Sequence, residues 1–293
     1  MSGLRRVTIL VTGAQGQIGF ELARLLLPHG DVMATDRATL DLADPDAIVA
    51  AMRGVKPALV VNAGAYTAVD RAETEAALAH AVNARAPGIF AEEAKRLDAT
   101  LIHFSTDYVF DGTRATPYPE DAPVAPLNAY GASKLEGERA IAAAGAHALV
   151  LRTSWVYGLR GRNFLLTIRR LAAERDELAV VADQFGVPNW SRTLAEATAR
   201  IVGAGLPALA ARRGLYHLSC TGKASWHEFA QAIVGPAPHP RIIPIATADY
   251  PTPARRPAYG VLATARFEAT FGFALPAWRE ALANCLGSPA GTT

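Results

Sequence analysis

The chain has 293 residues, 51% of them hydrophobic, 8% aromatic and 19% charged, with 29 basic against 27 acidic side chains. The formal charge is +2 and no basic run carries interleaved aromatics, so nucleic acid is not an expected partner. Two cysteines, Cys220 and Cys285, lie outside any C-x-x-C pair, and seven scattered histidines lack metal-ligand spacing. Neither a disulfide scaffold nor a zinc site is expected, and a reducing cytoplasm fits. The apolar run near the N-terminus is too short for a signal peptide or a membrane span, so no membrane partner is expected either.

Residues 7–13, VTILVTG, are β-branched, end in glycine and read as a buried strand. Helical periodicity follows over 17–30 and stops at Pro28 and Gly30. Residues 31–36 read as a strand, 44–55 as a capped helix and 57–65 as another buried strand. An Ala-rich helix is expected over 74–98, a fourth strand over 99–107, a helix over 129–144 and a fifth strand over 147–158. Strands and helices alternating in this way argue for an α/β fold, a Rossmann-type doubly wound parallel sheet. Beyond 158 the rhythm changes. Helices are expected over 163–178, 191–205 and 225–235, the last capped by Ser225, with one more strand over 214–220. The Pro-rich segment 236–259 reads as irregular structure, and the closing GSPAGTT as mobile.

VTGAQGQIG places Gly13, Gly16 and Gly19 between the first strand and the first helix. Glycines there allow a tight turn and a close approach of backbone to pyrophosphate, whose charge meets the helix N-terminus. Asp36, at the end of the second strand, is placed to accept from adenosine ribose hydroxyls and so favours NAD; it also suits a turn cap. The adjacent Arg37 could stack on adenine or pair with the 2′-phosphate of NADP, so NADPH and NADH are both expected. Asp41 and Leu42 suit an adenine pocket, although turn chemistry explains Asp41 equally well. Residues 1–158 thus read as an NAD(P)-binding domain to which 186–220 return. Residues 159–185 and 221–293 read as a smaller C-terminal substrate-binding α/β region.

Tyr130 and Lys134 stand four apart, on one face of the expected 129–144 helix. Only four of the basic residues are lysine, and one is kept here. An ammonium beside a phenol favours phenolate and lowers its pKa, which would let Tyr130 pass a proton to or from an alkoxide. The fourth strand ends in Ser105, Thr106 and Asp107, the fifth carries Trp155, and both converge on the mouth of the sheet.

TGAQGQIG, NAGAYTAVDRAE, FSTDYVFDG, PLNAYGASKLEGE, LRTSWVYG and YPTPARRPAYGVL follow in order over residues 12–262. In these stretches the chain resembles the dTDP-4-dehydrorhamnose reductase family of extended short-chain dehydrogenase/reductases. The resemblance implies that NAD(P)H delivers hydride to C4 of dTDP-4-dehydro-L-rhamnose while Tyr130 protonates the oxygen. Lys134 would hold the nicotinamide ribose and Thr106 would tune Tyr130. Gly16, Gln17, Ile18, Asp36, Asp41, Leu42, Ala65, Tyr66 and Thr67 would bind the dinucleotide. Val69, Asp70, Thr106, Asp107 and Trp155 would contact the deoxysugar, and Arg255 and Arg256 could pair with the nucleotide diphosphate.

Two departures stand out. The segment continues RRPAYGVL where similar chains have a polar Asn-Ser, which leaves contacts near 258–260 open. Some relatives dimerise through a metal held by carboxylates; Glu21 is present, but Arg192 stands where a second acid belongs. A cation there repels a metal, so no metal and a monomer or weak homodimer are expected. The alternatives are an NAD-dependent nucleotide-sugar epimerase or dehydratase, and a non-catalytic NADP-binding regulatory subunit of methionine adenosyltransferase. The first would be purified with its cofactor; the second would need no tuned phenol.

Overall fold

The computed structural model describes residues 6–236 and 240–287; the C-terminal residues expected to be mobile lie, from 288 on, outside these. In strand β1 (Thr8–Thr12), Ile9 and Val11 join the core on one face of a sheet and Leu10 joins the core on the other. Strand β2 (Asp31–Ala34) forms an edge. The two-faced alternation recurs in β3 (Leu59–Asn62), β4 (Thr100–Thr106) and β5 (His147–Thr153). Burial on both faces is what a parallel sheet between two helical layers demands. Gly214–His217 is the sixth strand, and the order across the sheet is Gly214–His217, β5, β4, β3, β1, β2, every pairing parallel. Winding reverses between β1 and β3, so the crevice of an open α/β sheet belongs at their C-terminal ends.

Helix α1 (Gln17–Leu25) follows β1 directly. Asp44 caps α2 (Pro45–Val55), its carboxylate accepting from the N–H groups of Asp46 and Ala47 at 3.0 and 3.1 Å. The helix expected over 74–98 is broken. A short α3 (Val69–Ala72) precedes α4 (Ala76–His80), a π-turn over Ala81–Arg85 and then α5 (Ala86–Arg96). The π-turn carries the buried Asn83, whose side chain bonds both the N–H and the carbonyl of Tyr66 at 2.9 Å and the Ser133 hydroxyl at 3.1 Å. A widened turn at a working position is a common use of the π-bulge. Helix α6 (Ala129–Ala144) starts at Asn128, which accepts from the Gly131 N–H at 2.8 Å, and ends at Gly145 with φ 67°.

Past β5 the structure departs from the periodicity. The strand expected to run to 158 stops at Thr153, because Trp155 takes φ 42°; a two-residue strand, Val156–Tyr157, resumes after it. The helix expected over 163–178 ends at Glu174, and Glu177–Val181 is instead a strand. Its partner, Arg241–Ile245, lies in the segment read as irregular. Ser225 does cap its helix, in a reciprocal capping box with Glu228. No described helix is long and apolar enough to cross a membrane.

Candidate active site

Along the crevice runs a cleft of about 500 Å³, floored by β1 and β3 and walled by α6. Its floor is backbone. Gly13 has φ 68°, and a Cβ on it would lie 2.7 Å from Gly64. A Cβ on Gly19 would lie 2.2 Å from the Gly13 carbonyl oxygen, so α1 packs against the turn with no room for a methyl group. No side chain caps α1 at Gly16, which leaves its first N–H groups facing the cleft. Gln17 is tied down instead: its amide donates to the Val156 carbonyl at 3.2 Å and accepts from Asn163 at 2.8 Å. An uncapped helix start beside touching glycine backbones fits a dinucleotide diphosphate.

Every residue expected at the dinucleotide lines this one cleft: Gly13, Gly16, Gln17, Ile18, Asp36, Arg37, Asp41, Leu42, Ala65, Tyr66, Thr67, Tyr130 and Lys134. Asp36 is also the turn cap foreseen for it. One carboxylate oxygen accepts from the Ala38 and Thr39 N–H groups at 3.0 and 3.1 Å and from the Thr39 hydroxyl at 3.0 Å. These bonds, the Thr39 hydroxyl first, hold Asp36 below the usual carboxylate range. Tyr66 gives its hydroxyl to Glu75 at 2.6 Å.

Tyr130 and Lys134 share a face of α6, but the expected acidification of the phenol does not appear. Burial raises Tyr130 to about 12, against the downward pull of its bond with the Thr106 hydroxyl. Lys134, only 2% exposed, is itself brought down to about 8 by burial. Loss of water outweighs the Thr106 hydroxyl at Tyr130 and the Glu138 carboxylate at Lys134. The Lys134 amine lies 2.6 Å from the Phe104 carbonyl oxygen and 3.1 Å from the buried ring of His103.

The residues expected at a sugar lie off this cleft. Thr106 hydrogen-bonds Asp107 at 3.1 Å; the second Asp107 oxygen is buried without a partner, and burial raises that carboxyl to about 7. Gly260 packs over it, where a Cβ would stand 2.4 Å from the unpaired oxygen, so the divergent 258–260 stretch reaches Asp107. Trp155 stacks on Trp226 with centroids 3.5 Å apart and rings 8° from parallel. Asp70, next to Val69 at the start of α3, takes both arms of Arg256 at 3.0 and 2.8 Å. Arg256 is therefore committed to a carboxylate and not left open to a diphosphate, as its position had suggested. Arg255 is exposed, and its carbonyl accepts from Asn128 at 2.8 Å. Arg192 pairs with Glu196, and among the described residues no cluster of His, Cys, Asp or Glu is arranged to hold a metal.

Several residues behind the cleft were not foreseen. Glu138 takes Arg152 at 2.8 and 2.6 Å and the Ser105 hydroxyl at 2.5 Å, all buried. It stands one turn beyond Lys134, so the stripe Tyr130, Lys134, Glu138 was there to read at i, i+4, i+8. Arg152 and His103 sit inside apolar strands, and a polar group there needs a partner. Trp226 carried no sequence signal.

The model of the family described as RmlD substrate binding domain matches residues 7–289. A dTDP-4-dehydrorhamnose reductase of Burkholderia thailandensis is 48% identical over 290 residues, covering 95% of this chain and 97% of that one. One from Escherichia coli K12 is 40% identical, covering 98% and 99%. A crystal structure of dTDP-4-dehydrorhamnose reductase from Bacillus anthracis in complex with NADP superposes with a TM-score of 0.89 at 34% identity, covering 96% and 99%.

Proposed function

This chain belongs to the dTDP-4-dehydrorhamnose reductase family, and we propose that it reduces the C4 ketone of dTDP-4-dehydro-L-rhamnose to give dTDP-L-rhamnose, using NADPH or NADH. The observation that carries this reading is that Tyr130 and Lys134 open into the same cleft as the uncapped start of α1. When bound, the reduced nicotinamide supplies the hydride. Tyr130 donates its phenolic proton to the C4 oxygen as the alkoxide forms. A donor must begin protonated, and a phenol raised to about 12 is so at any physiological pH. Thr106 aims that hydroxyl, and Lys134 holds the nicotinamide ribose. Gly13, Gly16, Gln17 and Ile18 cradle the diphosphate through their backbone, while Asp36, Arg37, Asp41 and Leu42 hold the adenosine end and Ala65, Tyr66 and Thr67 cover the middle. Val69, Asp107 and Trp155 face the deoxysugar, and Arg255 reaches its nucleotide. Asp70 shapes that side by fixing Arg256.

In this reading residues 1–158 with 186–220 carry the dinucleotide, and 159–185 with 221–293 the sugar nucleotide. The enzyme is a cytoplasmic monomer or weak homodimer. The test is loss of NADPH absorbance on adding freshly generated dTDP-4-dehydro-L-rhamnose, with dTDP-L-rhamnose identified as the product. No oxidation of NADPH by that ketone would refute the assignment.

Asp36 and Arg37 pull cofactor choice in opposite directions, because a carboxylate repels a 2′-phosphate and a guanidinium attracts it. The two cofactors should therefore differ by less than about tenfold in kcat/KM, or about 1.4 kcal/mol. A thousandfold preference in parallel steady-state assays would mean that one of the two side chains governs alone.

A further inference from the structure

Four side chains form one hydrogen-bonded row from the C-terminal ends of β1 and β3 across the middle of β4 and onto α6. The Gly64 N–H donates to the Thr12 hydroxyl oxygen at 3.1 Å, and the Thr12 hydroxyl donates to the Asn62 carbonyl oxygen at 2.6 Å. The Asn62 amide nitrogen then lies 3.1 Å from Nδ1 of His103, and Nε2 of His103 lies 3.1 Å from Nζ of Lys134. Thr12, Asn62, His103 and Lys134 are each at most 2% exposed, so no bulk water relieves a mismatch along the row.

Donors and acceptors can be counted along it. The Thr12 oxygen already accepts from Gly64, and its own proton is used only if the Asn62 oxygen faces it. The Asn62 NH2 group is thereby turned to His103, whose Nδ1 must accept. A neutral imidazole that accepts at one nitrogen carries its proton on the other. That proton, on Nε2, points at the Lys134 nitrogen, which can receive it only through a lone pair.

We propose that His103 is a positioning residue for Lys134, carrying its proton on Nε2 and donating it to the lysine nitrogen, so that in the cofactor-free enzyme Lys134 becomes a neutral amine well below the pH at which a free lysine does. The Phe104 carbonyl takes one amine proton, which fixes the direction of the remaining donor toward the cleft. An ammonium at Lys134 would set two donors against each other at Nε2. Other charged or titratable groups surround the amine. Tyr130 and Glu138 lie one turn away on α6, Asp107 follows β4, and Arg152 on β5 neutralises Glu138 with two hydrogen bonds. Burial and the His103 donor both favour the uncharged amine, while Glu138 favours the ammonium.

This inference rests on the assignment of Lys134 to the cofactor ribose, and its tests need no sugar substrate. In the cofactor-free protein above about pH 8, where the amine is neutral, nitrogen NMR should show His103 protonated at Nε2 with Nδ1 unprotonated; the reverse tautomer there overturns the proposal. The pH dependence of NADPH binding, followed by nicotinamide fluorescence, should contain a limb near pH 8 that disappears in Lys134→Met. His103→Phe removes the donated proton and should move that limb upward by about one unit or more. His103→Gln, whose amide can still donate, should leave it near the wild-type position. A limb that stays in place in His103→Phe, or moves down because an acceptor for an ammonium was lost, overturns the proposal. If His103→Phe does not fold, the tautomer measurement and His103→Gln decide. A protein that binds no NADPH at all would instead refute the cofactor assignment.

Discussion

Tyr130→Phe should lower kcat by roughly a thousandfold, the middle of the range for removing a positioned proton donor, while NADPH affinity changes less than about threefold. The substitution deletes one oxygen and leaves a ring of the same shape against Tyr108, with which it makes an edge contact at 5.7 Å. The packing of α6 is untouched, so the loss falls on the transition state and not on cofactor binding. Single-turnover NADPH oxidation and a fluorescence titration separate the two quantities. A variant within about tenfold of wild type would mean that the proton comes from elsewhere, and Thr106 would be the next candidate.

Glu138→Ala should cost about 3–5 kcal/mol of folding stability. Arg152 and Glu138 have side chains only 3% and 8% exposed. Removing the carboxylate strands a guanidinium beneath the sheet, where one of its nitrogens already lacks a partner. The Phe110 ring, 5.0 Å from that guanidinium, cannot replace a counter-charge. Replacing both partners together, Glu138→Leu with Arg152→Met, should cost far less, because no charge is then buried alone. Urea unfolding of the two variants measures the difference. A single-variant loss below about 1 kcal/mol would show that water reaches the guanidinium.

How much could be read before folding depended on how far apart the interacting residues stand. The glycine turn, the Asp44 cap and the whole of α6 rest on neighbours within a few positions, and they were legible. So was the gathering in one cleft of the residues expected at a dinucleotide, since parallel strands deliver their C-terminal ends to one side. Glu177–Val181 was lost to an expected helix because its partner strand, Arg241–Ile245, lies some sixty residues on. The break at Trp155 goes with a positive φ and a stack on Trp226, seventy-one positions away, and no local propensity announces it. That Arg256 pairs with Asp70 was not legible, because the two are 186 residues apart. The sign of the Tyr130 shift was missed for another reason: spacing reveals which charges are neighbours, and says nothing of how much water they keep.

The touching backbones of Gly13 and Gly64 carry a consequence for how such an enzyme can diversify. Peptide groups present the same surface whatever is encoded around them, so drift or laboratory selection has almost nothing to vary in the floor beneath the cofactor. On the proposed reading, changes of nucleotide taste would be written at the rim, around residues 36–42, where side chains are free to differ. A mutational library spent on that rim should yield switched variants, whereas one spent on the floor should return mainly unfolded protein.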